Sequence, residues 1–193
     1  MNHIGRALVV GLGNPGKRYR EHRHNIGFMA IDRMAQRADE SSPRVHFNAV
    51  VYDTRIEGMR VLLAKPQTFM NTSGNSVQSL VRFYRIPLDR ILVIYDDLDI
   101  PFGALRIRSS GGSGGHKGMR SIIDRLSSQD ISRMRLGIGR PPDAVDPSDY
   151  VLQKFRRSEL DELDSLLDQA ASAIEQFVCC GVESSMNRSN ISG

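Results

Sequence analysis

The chain has 193 residues, 40% of them hydrophobic and 25% charged, with a net charge of +4 and an isoelectric point near 9.3. That length supports a single domain with a full core, and the composition is that of an ordinary soluble globular chain rather than a disordered or fibrous one. No apolar run approaches the roughly 18 residues that span a bilayer, and the two cysteines, Cys179 and Cys180, are adjacent, so they cannot staple distant elements. The expected setting is a reducing cytoplasm, with no membrane association and a monomeric chain.

The first element is an apolar strand over 7–10, which runs into a turn, Gly11-Leu12-Gly13-Asn14-Pro15-Gly16. The turn matches the dinucleotide fingerprint Gly-x-Gly-x-x-Gly. That fingerprint needs the last glycine to open a helix and an acid about 20 residues on. Pro15 removes a backbone donor, and the basic segment from Lys17 to His24 separates the turn from any helix. A nicotinamide-dependent enzyme is therefore disfavoured. Asn25 is a reasonable N-cap for a helix over 26–38, whose Ile26, Met29, Ala30 and Met34 form an apolar stripe.

A loop over 39–43 leads to a β-hairpin, 45–56 and 60–64, turning at Glu57-Gly58 and ended by Lys65-Pro66. The segment 67–75 reads as a polar loop with an exposed Phe69-Met70 pair. Thr72 or Ser73 can start the next helix, over about 76–84, which stops before Pro87. The short apolar run 91–95 is a buried strand that delivers Asp96, Asp97 and Asp99. After a strand over 104–108 comes a glycine-rich loop, 109–118, and a helix over 119–126. A strand over 135–139 ends at Pro141-Pro142. The stretch 143–149 reads as loop, 150–152 as a short extended piece, and 159–178 as a long amphipathic helix. The polar end, 181–193, is expected to fray, with 183–193 as a flexible tail. Alternating helices and strands with one hairpin predict a single-domain three-layer α/β/α sandwich around a twisted, mixed, mainly parallel sheet.

Two basic clusters flank the two glycine loops: Lys17, Arg18, Arg20 and Arg23 beside the first, and Arg106, Arg108, Lys117 and Arg120 beside the second. Acids gather instead near 159–168. Basic clusters at loop edges suit a polyanionic partner. No histidine, cysteine and carboxylate set has zinc-like spacing, and neither a phosphate-loop lysine nor a Gly-x-Ser-x-Gly elbow is present. No metal and no cofactor is expected.

What remains for chemistry is histidine. His24 lies between a strand-ending turn and a helix, and His116 sits in the glycine loop at a helix start. Asp96, ending the central apolar strand, is placed to accept a hydrogen bond from an imidazole and so leave its other nitrogen to take a proton from water. Asn14 and Asn71 lie on loops near the same rim, where either can orient a carbonyl or simply form a turn.

Six blocks in order, GLGNPGKRY (11–19), RHNIGF (23–28), KPQTFMNTSG (65–74), YDDLDIPFG (95–103), GGSGGHKGMRSI (111–122) and RLGIGRP (135–141), make the chain resemble the bacterial peptidyl-tRNA hydrolases over nearly its whole length. The resemblance implies an esterase that cuts peptide from the terminal ribose of tRNA and recycles the tRNA. It implies His24 as catalytic base, Asp96 as its support, and Asn14 as a contact to the peptide near the scissile bond. Tyr19, Phe69 and Asn71 are implied to touch the substrate or the tRNA end, and the His116 loop to hold tRNA. One position departs: Lys117 stands where the family commonly has asparagine after the loop histidine. Lysine only donates, so a phosphate pairing is expected there. The donors that would steady an oxyanion stay open between the Asn14 and Asn71 amides and the backbone N–H groups of the glycine loops. A non-hydrolytic RNA-binding module is the competing reading.

Overall fold

The computed structural model describes residues 5–40 and 42–190. Seven strands form one sheet: β1 (Ala7–Gly11), β2 (Arg44–His46), β3 (Ala49–Ile56), β4 (Met59–Pro66), β5 (Ile91–Asp97), β6 (Leu105–Arg108) and β7 (Ser132–Gly137). Their order across the sheet is β2-β3-β4-β1-β5-β7-β6. The four central strands β4, β1, β5 and β7 are parallel, and β3 and β6 run antiparallel to them. The helices are α1 (Ile26–Arg37), α2 (Ser73–Tyr84), α3 (Lys117–Leu126), α4 (Pro147–Val151) and α5 (Leu160–Ser189).

The central strands read as unbroken apolar runs because both faces are covered. Successive residues of β1 and β5 feed opposite cores. Val9, Leu92 and Ile94 join α1 and α5 on one side, while Leu8, Val10, Ile91 and Val93 join α2 and α3 on the other. This period-2 division makes the three layers. Arg33 and Arg37 of α1 pair with Asp164, Asp168 and Glu175 of α5. The acidic stretch is thus one side of a helix–helix seam.

Several elements differ from the sequence reading. β2 and β3 are separate strands, because Phe47 and Asn48 turn the chain at φ 51° and 54°. Helix α2 starts at Ser73, one of the two starts read for it, but the residues before it form a 3-10 turn, Met70–Thr72, rather than loop, and Met70 is buried rather than exposed. β7 covers Ser132–Gly137 rather than 135–139, since its register is set by pairing Leu92 with Ser132. The expected extended piece at 150–152 lies instead at the end of α4, which Asp146 caps through the Ser148 N–H at 2.7 Å, with Pro147 at its first position. The polar end expected to fray is helical. Gly181, at φ 80° and ψ 176°, reverses α5, and Ser185 Oγ then donates to Ala173 O at 3.1 Å. Asn190 grips edge strand β6, accepting the Ile107 N–H at 2.9 Å and donating to its carbonyl at 3.0 Å. That contact covers an otherwise open edge. The expected tail beyond Asn190 lies outside the described residues.

Candidate active site

The sheet's carboxyl edge gathers the site because two glycines let α1 approach it. A Cβ on Gly11 would lie 2.1 Å from Gly27 O, and a Cβ on Gly27 would lie 2.4 Å from Ile94 O. With neither present, the start of α1 sits directly on the ends of β1 and β5. The 3-10 turn Arg23–Asn25 before α1 therefore places His24 over Asp96.

Asp96 is 5% exposed and its Oδ1 serves two rings. His24 Nδ1 lies 2.8 Å away and His116 Nε2 lies 3.2 Å away. His116 Nδ1 accepts the Met119 N–H at 3.2 Å as the N-cap of α3. That fixes its tautomer: Nε2 carries the proton and donates to Asp96. His24 Nδ1–H donates to the same oxygen, leaving Nε2 as an acceptor with no partner among the described residues. Burial pushes the Asp96 carboxyl up, but attraction to His24 in its protonated form and the hydrogen bonds from both rings outweigh it and hold it well below the usual carboxylate range.

Asn14 is held from three sides. Asn25 accepts its N–H at 3.0 Å and donates to its carbonyl at 2.9 Å. Asn25 is therefore no side-chain cap for α1, as the sequence reading had it; it clamps the turn. Asn14 Oδ1 accepts the Met70 N–H at 2.9 Å. This assigns the amide, and Nδ2 is left as a free donor among the described residues.

Asn14, His24, Phe69, Asn71, Asp96, His116 and Lys117 line one cleft of about 1220 Å³. That is larger than most small-molecule pockets. Phe69 is 62% exposed, and Asn71 and Lys117 are exposed. Tyr19 is not brought to this cleft: its ring is covered by the Arg18 guanidinium and edged by His22. Arg23 is no member of a surface basic cluster, being 1% exposed and paired with Glu159. The remaining basic residues of both clusters are exposed except Arg106, which is half-buried.

Sequence reasoning missed three supports. Met70 supplies the N–H that orients Asn14. Arg133, 2% exposed, ties the glycine loop to the sheet through Gly111 O at 2.6 Å and Gly112 O at 2.8 Å. The far wall, Pro147, Ser148, Val151 and Leu152, comes from α4 and the residue that caps its end. The paired signal Asp146-Pro147, a cap followed by proline at the first helical position, was available for that wall. Among the described residues, His24, Asp96 and His116 also place ligand atoms within 4.8 Å of one another, a spacing a divalent cation could bridge. Both ring N–H groups already point at one carboxylate oxygen, so a cation would displace both protons.

The peptidyl-tRNA hydrolase family profile matches residues 8–193. The chain belongs to the peptidyl-tRNA hydrolase family. It is 50% identical over 179 residues to the chloroplastic peptidyl-tRNA hydrolase of Arabidopsis thaliana, covering 92% of this chain and 62% of that longer relative. The Nocardia farcinica peptidyl-tRNA hydrolase is 44% identical, covering 95% of this chain and 96% of its own. Among solved structures, the peptidyl-tRNA hydrolase of Acinetobacter baumannii superimposes with a TM-score of 0.89 at 36% identity, over 95% of this chain and 94% of that one. The family's fold is the α/β sheet described above. No helix among the described residues is long and apolar enough to cross a membrane.

Proposed function

We propose that this protein hydrolyses the ester joining a peptide, or an N-blocked aminoacyl group, to the terminal ribose of tRNA, with His24 as general base. The observation that carries the reading is the 2.8 Å contact between His24 Nδ1 and a buried, ionised Asp96. It orients Nε2 toward a cleft large enough for an aminoacylated nucleic-acid end.

Water gives a proton to His24 Nε2 as its oxygen attacks the ester carbonyl. Asp96 stays ionised and steadies the imidazolium through Nδ1–H. The Asn14 Nδ2 donor faces the developing oxyanion. As the tetrahedral species collapses, the carbonyl–ribose bond breaks and the imidazolium proton passes to the leaving ribose oxygen. His116 keeps Asp96 aimed. Phe69 and Asn71 meet the substrate at the rim, and Lys117 with Arg108 meets phosphates.

The test is release of N-acetylaminoacyl groups from tRNA by the purified protein. The expected result is turnover that His24→Ala lowers by at least about 100-fold, with the protein still cooperatively folded at the assay temperature. An equally active His24→Ala protein contradicts the mechanism, and RNA binding with no cleavage by the wild type contradicts the reading.

A further inference from the structure

Arg23 precedes His24 in the same 3-10 turn, yet it faces away from the cleft. Its Nη2 donates to Glu159 Oε1 at 3.1 Å and Oε2 at 2.7 Å. The guanidinium carbon lies 4.6 Å from the Tyr150 ring centre and 4.8 Å from that of Phe155. The Arg23 N–H donates to Gln153 O at 2.9 Å, and His22 bridges antiparallel to Lys154. Glu159 in turn accepts the Arg156 N–H at 2.6 Å. The segment from Tyr150 to Glu159 is strapped to the turn that carries His24. The same segment continues back into α4, the cleft wall facing that histidine.

This joint is not the cheapest way to hold two surfaces together. Arg23 Nε and Nη1 are buried with no partner among the described residues. An apolar side chain of similar volume would close the seam without stranding polar atoms. What the guanidinium adds is direction: Nη2 bridges both Glu159 oxygens while the flat group lies against the Tyr150 and Phe155 rings, which restricts the orientation of the turn.

We propose that Arg23 and Glu159 are positioning residues for ester cleavage. Their pairing latches the α4 wall to the His24 turn and so holds Nδ1 on Asp96 with Nε2 facing the substrate. This rests on the role given to His24 above.

The experiment compares wild type, Glu159→Gln, Arg23→Lys and His24→Ala on N-acetylaminoacyl-tRNA. It measures kcat and KM separately, the folded fraction at the assay temperature by circular dichroism, and the imidazole resonances of His24 by nitrogen-15 NMR. In both latch variants kcat falls by about 10- to 100-fold, while KM changes by less than about 3-fold. The proteins stay folded and the His24 Nδ1–H signal broadens. Arg23→Lys shows the same loss because a compact ammonium does not reproduce the planar contact with the Tyr150 and Phe155 rings. Wild-type kcat in either variant overturns the inference. So does a rise in KM alone, or a loss of kcat no larger than the loss of folded protein. Wild-type turnover by His24→Ala would remove the functional reading and this inference together. A dead His24→Ala beside a fully active Glu159→Gln would remove the inference only.

Discussion

Asp96 does with one oxygen what most carboxylates do with two: Oδ1 alone receives both His24 and His116. Its carboxyl sits well below the usual range in the fold, so its ionised form adds stability above the ordinary carboxyl pKa near about 3.9. That contribution is lost as pH falls from there toward the depressed value. The wild-type melting temperature is therefore expected to drop on acidification below about pH 4, and Asp96→Asn, which cannot titrate, should flatten that part of the profile in calorimetry. An unchanged profile would mean that the two rings do not stabilise the carboxylate. The sequence made His24 and Asp96 legible, because a strand-ending acid and a histidine before a helix are local signals and the six blocks fix their order. It misread Arg23, because the partner that buries this residue is Glu159, 136 positions away.

At the level of elements, the close approach of α1 to the sheet is the feature the site depends on. In Gly27→Ala the new methyl meets Ile94 O at 2.4 Å and Leu12 N at 2.5 Å. Both are backbone atoms, so α1 must move and carry His24 with it. We expect a loss of about 1–3 kcal/mol in unfolding experiments together with a disproportionate fall in kcat. Ile174→Ala, in the buried face of α5, is expected to lose about 2–5 kcal/mol and keep its kcat. If both variants lose activity only in step with stability, the glycine pair is packing and nothing more. The helix and strand pattern was readable because periods of 2 and 3.6 are local. The end of the chain was not. A run of polar residues after Gly181 has the composition of a frayed end, and it is tertiary contacts that hold it in place: Ser185 with Ala173, Asn190 with Ile107, and Val182 and Met186 against the core. Asn190→Ala should lower stability by about 1 kcal/mol without touching turnover.

Over the whole molecule, exposed cations border the cleft and the first glycine loop, while Asp164, Asp168 and Glu175 of α5 are paired with Arg33 and Arg37 of α1. A charge of +4 is modest; its placement is what suits a phosphate backbone. Catalytic efficiency should fall with salt, and Lys117→Gln should reduce the log–log slope by about 0.7–0.9 if that lysine contacts one phosphate. An unaltered slope would take Lys117 out of the tRNA contact. The fold class and the meeting of His24, Asp96, Asn14 and Asn71 on one rim were legible from the chain. Asp146-Pro147 was a local signal for α4 itself, but the place of that helix against the cleft and the strap behind His24 were not legible, since they form only when segments more than a hundred residues apart meet. The proposed chemistry depends on a carboxylate that aims an imidazole. Its most direct measurement is the single-turnover rate of ester cleavage by Asp96→Asn, with His24 left intact. A fall of about 100- to 10,000-fold in a cooperatively folded protein is predicted; cleavage at the wild-type rate would contradict it.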